Sequence, residues 1–158
     1  MTNKRDNYIF LVENAYFGNV ANGNIDTVLD CFTDDCLVTI RHGDNALRLF
    51  RKIPENNETP LYEFYAHLCG NFNAWFGNFV HYIDADVMRC ACTFTVKLTP
   101  KQDSDYLAAG TQTLHNCNFF TYEENKIREM TIYYSNTEAI VDTPNATPTG
   151  YPKILMTN

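Results

Sequence analysis

No stretch of this chain approaches the roughly 20 consecutive apolar residues that a membrane-spanning helix needs, so the sequence offers no span. Basic residues are scarce: 12 Lys and Arg stand against 19 Asp and Glu, a net charge of −7. That balance weighs against nucleic acid and anionic membrane surfaces as partners, since both call for clustered cations. Met1 to Asn7 is polar, without the apolar core of a secretory leader, which sets the expectation of a cytoplasmic protein. No Cys-x-x-Cys pair occurs among Cys31, Cys36, Cys69, Cys90, Cys92 and Cys117, and their spacing fits no zinc pattern. Cys90 and Cys92 share one face of a strand but cannot form a normal disulfide from there. All six read as reduced, mostly buried thiols. There is no Gly-rich phosphate loop, no Ser nucleophile motif and no metal-spaced His/Asp set. No metal or cofactor is therefore expected, which leaves cofactor-independent chemistry as the one enzymatic class. Paired carboxylates are also lacking, because Asp34-Asp35 and Asp84/Asp86 read as solvated turns.

What the chain does have is aromatic bulk. With 158 residues, 45% hydrophobic, 11 Phe and 10 Tyr, it is one globular domain able to bury a core. Spacings of three and four among Ile9, Phe10, Val12, Tyr16, Phe17 and Val20 predict a first helix over about Asp6 to Ala21. Gly23 ends it. Asn24 then reads as the N-cap of a second helix, Ile25 to Phe32. After Asp34-Asp35 comes a strand, Cys36 to His42, a turn at Gly43-Asp44-Asn45, and a return strand, Ala46 to Ile53. Pro54 to Glu58 is a polar loop. Thr59-Pro60 reads as the start of a third helix carrying the stripe Leu61, Phe64, Tyr65, Leu68, Phe72, Trp75 and Phe76.

From Asn78 the period changes to two. Met88, Cys90, Cys92, Phe94, Val96 and Leu98 form the apolar face of a strand. A charged loop, Pro100 to Asp105, leads to strands at Ala109 to Tyr122 and Lys126 to Ser135, joined by Glu123-Glu124-Asn125. Helices followed by a meander of long strands indicate an α+β domain over residues 1–135. Residues 136–158, with Pro144, Pro148, Gly150 and Pro152, read as an extended tail.

Two segments carry a family resemblance. Tyr16-Phe17-Gly18-Asn19-Val20-Ala21-Asn22-Gly23-Asn24-Ile25-Asp26, with Cys31 to Ile40, resembles the opening of the cone-shaped fold of nuclear transport factor 2, ketosteroid isomerase and the SnoaL-like polyketide cyclases. Phe119 to Met130 resembles their penultimate strand, turn and last strand. The resemblance covers roughly residues 8 to 135. It implies three N-terminal helices on a strongly curved antiparallel sheet (the NTF2-like, or cystatin-like, fold) around one deep pocket. Fold alone fixes no function.

Ketosteroid isomerase uses a tyrosine, an aspartate base and a protonated aspartic acid. By the resemblance, the tyrosine position falls on Tyr16, the acid position on Asn118 and the base position on Ile40. Tyr16 and Asn118 could both donate hydrogen bonds to a ligand oxygen. Isoleucine cannot take a proton, so steroid isomerase chemistry in its usual form is not expected. Two histidines could replace the base. His42 lies two residues beyond Ile40 on the same face, or else simply begins the following turn in solvent. His81, in Phe79-Val80-His81-Tyr82-Ile83, resembles the pocket histidine of scytalone dehydratase and some cyclase-like relatives; the alternative is a structural histidine. His115 has the parity to face away, and His67 falls on the polar side of the third helix.

Parity assigns further lining: Val38 and Ile40, Leu114, Asn116, Phe120 and Tyr122, then Met130, Ile132 and Tyr134, with Phe17 beside Tyr16 from the first helix and Tyr65, Trp75 or Phe76 from the third. Such a site suits a small hydrophobic ligand held by one or two hydrogen bonds, unless the aromatic rings fill the cone. Two functions stay open. One is a SnoaL-like isomerase, dehydratase or cyclase working by general acid/base chemistry. The other is a non-catalytic ligand-binding or dimeric interaction module. The outer sheet face, with Thr93, Thr95, His115, Cys117, Phe119, Thr131 and Tyr133, sets the expectation of a homodimer.

Overall fold

The computed structural model describes residues 3–43, 45–56 and 58–135. The expected tail lies outside the described residues, as do Asp44 and Asn57. A continuous helical rod opens the chain: an α-helical segment α1 (Lys4–Phe10), a π-helical segment (Leu11–Phe17) and a second α-helical segment α2 (Gly18–Asn22). Asn3 caps it, its side-chain oxygen accepting from the Asp6 N–H at 2.8 Å. The π segment has a packing reason. Tyr8, Val12 and Val20 keep the buried stripe of an α-helix, but Tyr16 and Phe17 are both buried side by side. A wider turn brings two adjacent rings onto one face. Gly18 N–H bonds back to Glu13 O, five residues earlier. Gly23, at φ 73°, ends the rod in the left-handed conformation.

Helix α3 (Ile25–Asp30) follows. The Asn24 side chain does not cap it as expected, but donates to Asn19 Oδ1 instead. Strand β1 (Phe32–Arg41) starts four residues earlier than the sequence suggests, and β2 (Arg48–Arg51) is a short return. Thr59 and Pro60 form a two-residue strand, β3, paired with β2, so helix α4 (Leu61–Asn71) begins one residue later than read.

The largest difference is the end of α4. The aromatic stripe does not continue as helix: Phe72 turns extended at φ −132°, ψ 148°, and opens strand β4 (Phe72–Asp84). Phe72, Trp75 and Phe76 fit helical spacing, but Phe72, Ala74 and Phe76 also alternate, and long pairing with the next strand decides the matter. Strands β5 (Arg89–Pro100), β6 (Gln112–Glu123) and β7 (Lys126–Tyr133) complete the meander. Glu124 and Asn125, at φ 50° and 63°, make the tight turn between the last two.

The seven strands form one sheet in the order β3-β2-β1-β7-β6-β5-β4, antiparallel except at β1–β7 and β2–β3. The helices cover its inner face, and the core lies between. Register places one row of inner residues side by side: His81, Cys92, Asn118, Ile132 and Ile40. A bulge interrupts β4 between Gly77 and Val80, where Asn78 sits at φ 55°.

Candidate functional site

A cavity lies inside the cone, between the rod, α4 and the inner faces of β4 to β7. Tyr16, Phe17, Tyr65, Phe94, Asn118 and Tyr134 are among its walls. Without wall movement its volume is about 40 Å³. It is space for a few waters, far below the roughly 300 Å³ or more of an ordinary ligand pocket. The rings nearly fill the cone.

Its chemistry is sparse and specific. Tyr16 and Tyr65, both fully buried, share a hydrogen bond of 2.7 Å between hydroxyls. Either can donate. The hydroxyl that accepts keeps its own proton for a third group. Burial pushes both well above the ordinary phenol range, and for Tyr65 the neighbouring Tyr16 adds to it. Near neutral pH they are donors and never bases. Opposite them, Asn118 is 1% exposed. Its Nδ2 points to the Met130 thioether at 3.6 Å, and its Oδ1 has no hydrogen-bond partner. A sulfur is a poor neighbour for a carbonyl oxygen, which favours this amide orientation. The free atom is thus an acceptor, whereas the sequence reading gave Asn118 the role of donor. Asn116, also on the wall, is engaged, its Oδ1 accepting from Ser135 N–H at 3.2 Å.

The residues singled out from sequence separate into groups. Tyr16, Tyr65, Asn118, Ile132 and Tyr134 line the cavity. Val38, Ile40 and Met130 are buried core that does not reach it. Phe120 and Tyr122 pack on Tyr8, with ring centroids 6.1 and 5.8 Å away, at the other end of the cone. Trp75 is corrected outright. It stands on β4, not on a helix, and points outward at 47% exposure over Gly77, with Lys97 Nζ 5.2 Å from its ring. His42 is buried, not a solvent turn residue, and its ring lies tilted against that of Tyr134, centroids 5.1 Å apart, behind the cavity wall. His81 does not reach the cavity. Its side chain is 8% exposed, 3.7 Å from Glu13 and 5.8 Å from the Tyr8 ring. Desolvation lowers its pKa against the pull of Glu13, so it is held neutral. His115 faces outward, 3.3 Å from Thr95 Oγ1, and His67 bonds the Tyr106 hydroxyl at 3.1 Å.

Lining that the sequence reading did not assign to the site is Val20, Phe64, Leu68, Phe94, Val96 and Leu98. The period-two pattern had put the last three on an inner face. What it lacked was the position of the open end along each strand. All six cysteines are free, four of them buried, and burial pushes the Cys31 thiol up to about 11. Among the described residues no cluster of three His, Cys, Asp or Glu could hold a metal ion. Among them also, no helix is long and apolar enough to cross a membrane.

No family profile matches the sequence, and no curated protein matches it. Solved structures do match in fold. An enzyme from Penicillium brevicompactum, the BvnE pinacolase, is 13% identical over 84% of this chain and 89% of its own, with a TM-score of 0.62. SalBIII, an epoxide hydrolase/cyclase-like enzyme of pyran ring formation in the polyether salinomycin, is 16% identical over 87% and 96%, at 0.64. A protein of unknown function with a cystatin-like fold, from Methylobium petroleophilum, is 12% identical over 100% and 93%, at 0.63. Others carry the provisional name polyketide cyclase. The chain therefore has the cone-shaped, cystatin-like α+β fold of these structures. At these identities the likeness is one of fold.

Proposed function

We propose that this chain binds a small, mostly apolar, oxygen-bearing compound inside the cone. The observation that carries this is the pair of polar groups on cavity-lining residues: the Tyr16–Tyr65 hydroxyls, with a proton to give, and Asn118 Oδ1, a buried acceptor without a hydrogen-bond partner. A buried unpaired acceptor costs about 1–3 kcal/mol, a cost that a ligand donor would remove. The surrounding Phe, Leu and Val side chains would supply the apolar contact. The test is a thermal-shift and titration screen with small phenols and terpenoid alcohols, repeated on Asn118→Leu. The variant should fold at least as stably as the parent and lose about tenfold or more in affinity. Unchanged affinity would remove the assignment.

A second reading, cofactor-independent isomerase, dehydratase or cyclase chemistry, is favoured by His42. It is a buried imidazole against the cavity-lining ring of Tyr134, and the cyclase and epoxide hydrolase/cyclase-like neighbours support acid/base work in this fold. In that reading the Tyr16–Tyr65 pair polarises the ligand oxygen and His42 receives the proton by way of Tyr134. His42→Gln should then abolish turnover of a bound compound while leaving its binding intact.

The same proposal includes a homodimer through the outer sheet face. Phe119 and Tyr133, 51% and 42% exposed, pack edge to face at 5.7 Å there, with the exposed Val80 and Tyr82 of β4 on the same face across β5. Large exposed apolar side chains gathered on one face favour a covered surface. Sedimentation equilibrium at tens of micromolar should report a dimer, and Phe119→Glu should dissociate it.

A further inference from the structure

Trp75, the chain's one tryptophan, lies over Gly77 toward one end of the outer sheet face and is 47% exposed. Lys97, its cross-strand partner on β5, stands beside it with Nζ 5.2 Å from the ring. Toward the other end of the same face is an open trough of about 650 Å³. Two outward rows of the sheet build it. Half-buried Ala91 and Thr121 form its floor, and exposed Tyr82, Phe119, Arg89 and Glu129 rise around it. An aromatic plate with a cation beside it and a trough with an acidic rim thus share one face.

Midway between them is Thr93 on β5, registered with Cys117 on β6. Lys97 and Arg89 lie on either side of that row, each about 13 Å from it along β5. A second copy turned over about a two-fold axis along the Thr93–Cys117 row sets the Trp75 end of each sheet above the trough end of the other. Such a contact is self-complementary, as an isologous interface must be. Aligned sheets cross at about 30°, which displaces facing residues about 13 Å from the axis sideways by roughly one to two strands. In the sense that carries Trp75 over the Ala91–Thr121 floor, Lys97 comes over Glu129. An axis along the strands would instead set Asp84 of β4 above Glu129 of β7, since both belong to one cross-strand row, and would place acid on acid.

We propose that the outer face pairs with a second copy of this chain in that reversed register, with each Trp75 seated in the trough of the other copy and each Lys97 against its Glu129. This rests on the homodimer proposed above and adds its axis, its register and its anchor. A large aromatic ring desolvated in a fitted trough is the usual form of an interface hot spot. Thr93 and Cys117, small side chains on the axis, let the two sheets approach to about 10 Å.

The single tryptophan tests this directly. On dilution of the full chain from tens of micromolar to tens of nanomolar, Trp75 emission should move to the red and its quenching by acrylamide should rise several-fold, in step with dissociation seen by sedimentation. Phe119→Glu should show the dissociated spectrum at every concentration. A short bismaleimide should couple the dimer through Cys117, and Cys117→Ser should remove the product. Trp75→Ala, a change at an exposed position, should weaken association by about thirtyfold. Lys97→Glu should weaken it as well, and Glu129→Lys added in the same chain should restore it. A dimer whose Trp75 stays as open to acrylamide as in Phe119→Glu, or one that Trp75→Ala leaves unchanged, would overturn the reversed register and leave the outer-face dimer standing. A monomer at tens of micromolar would overturn both.

Discussion

Removing one hydroxyl from the Tyr16–Tyr65 pair should destabilise the fold more than removing both. Each ring is fully buried, and the hydroxyls meet at 2.7 Å. In Tyr16→Phe the bond is lost and the Tyr65 hydroxyl stays behind in an apolar surround, at a cost of about 1–3 kcal/mol. Tyr65→Phe is the mirror case. In the double variant no polar atom is stranded, and only the net worth of one hydrogen bond, about 0.5–1.5 kcal/mol, is lost. The double should therefore be as stable as either single or more so. The pair would show a coupling energy of about 1–3 kcal/mol instead of additivity. Urea unfolding followed by far-UV circular dichroism measures this, with the four slopes expected to agree. In thermal melts each kcal/mol corresponds to about 2–4 °C for a domain of this size. Additive losses, or two neutral singles, would refute the claim that the hydroxyls satisfy each other away from solvent.

Stability should also fall steeply in alkali. Burial raises the proton affinity of Tyr8, Tyr16, Tyr65, Cys31 and Cys92 in the folded state, so as pH rises the unfolded chain releases these protons first. For Cys31 the loss runs from pH 9.0 to about 11, and each such group costs about 1.4 kcal/mol per pH unit within its window; a flat profile above pH 9.0 in urea titrations would contradict it. At Gly77 an added Cβ would run into the far edge of the Trp75 ring. Gly77→Ala should therefore swing out the chain's one tryptophan, red-shift its emission and cost about 1 kcal/mol, and unchanged emission would place the ring elsewhere. Asn118→Leu replaces an unpartnered acceptor by apolar volume and should be neutral or stabilising by up to about 2 kcal/mol in the same urea assay; a large loss would mean that Oδ1 is satisfied after all.

Local patterns determined much of this protein. The rod, its Gly23 stop, the long alternating strands and the tight turn at Glu124-Asn125 were legible because side-chain period and backbone permissiveness act within a few residues. The inward parity of Asn118, Ile132 and Tyr134 was legible for the same reason. Where local signals tie, they failed. Phe72-Asn73-Ala74-Trp75-Phe76 satisfies both helical and strand spacing, and pairing with Val96 to Pro100, distant in sequence, made it a strand. That single decision put Trp75 outside and Phe76 inside. The π-helical segment could not be read either, because it exists to seat Tyr16 and Phe17 together against the sheet. Only the tertiary structure decided which inward residues reach open space, and that Asn118 presents oxygen. It also decided that His81 sits behind a wall of rings while His42 is buried beside Tyr134. Sequence parity tells which face a side chain takes, but a cavity is what remains after all faces have been packed.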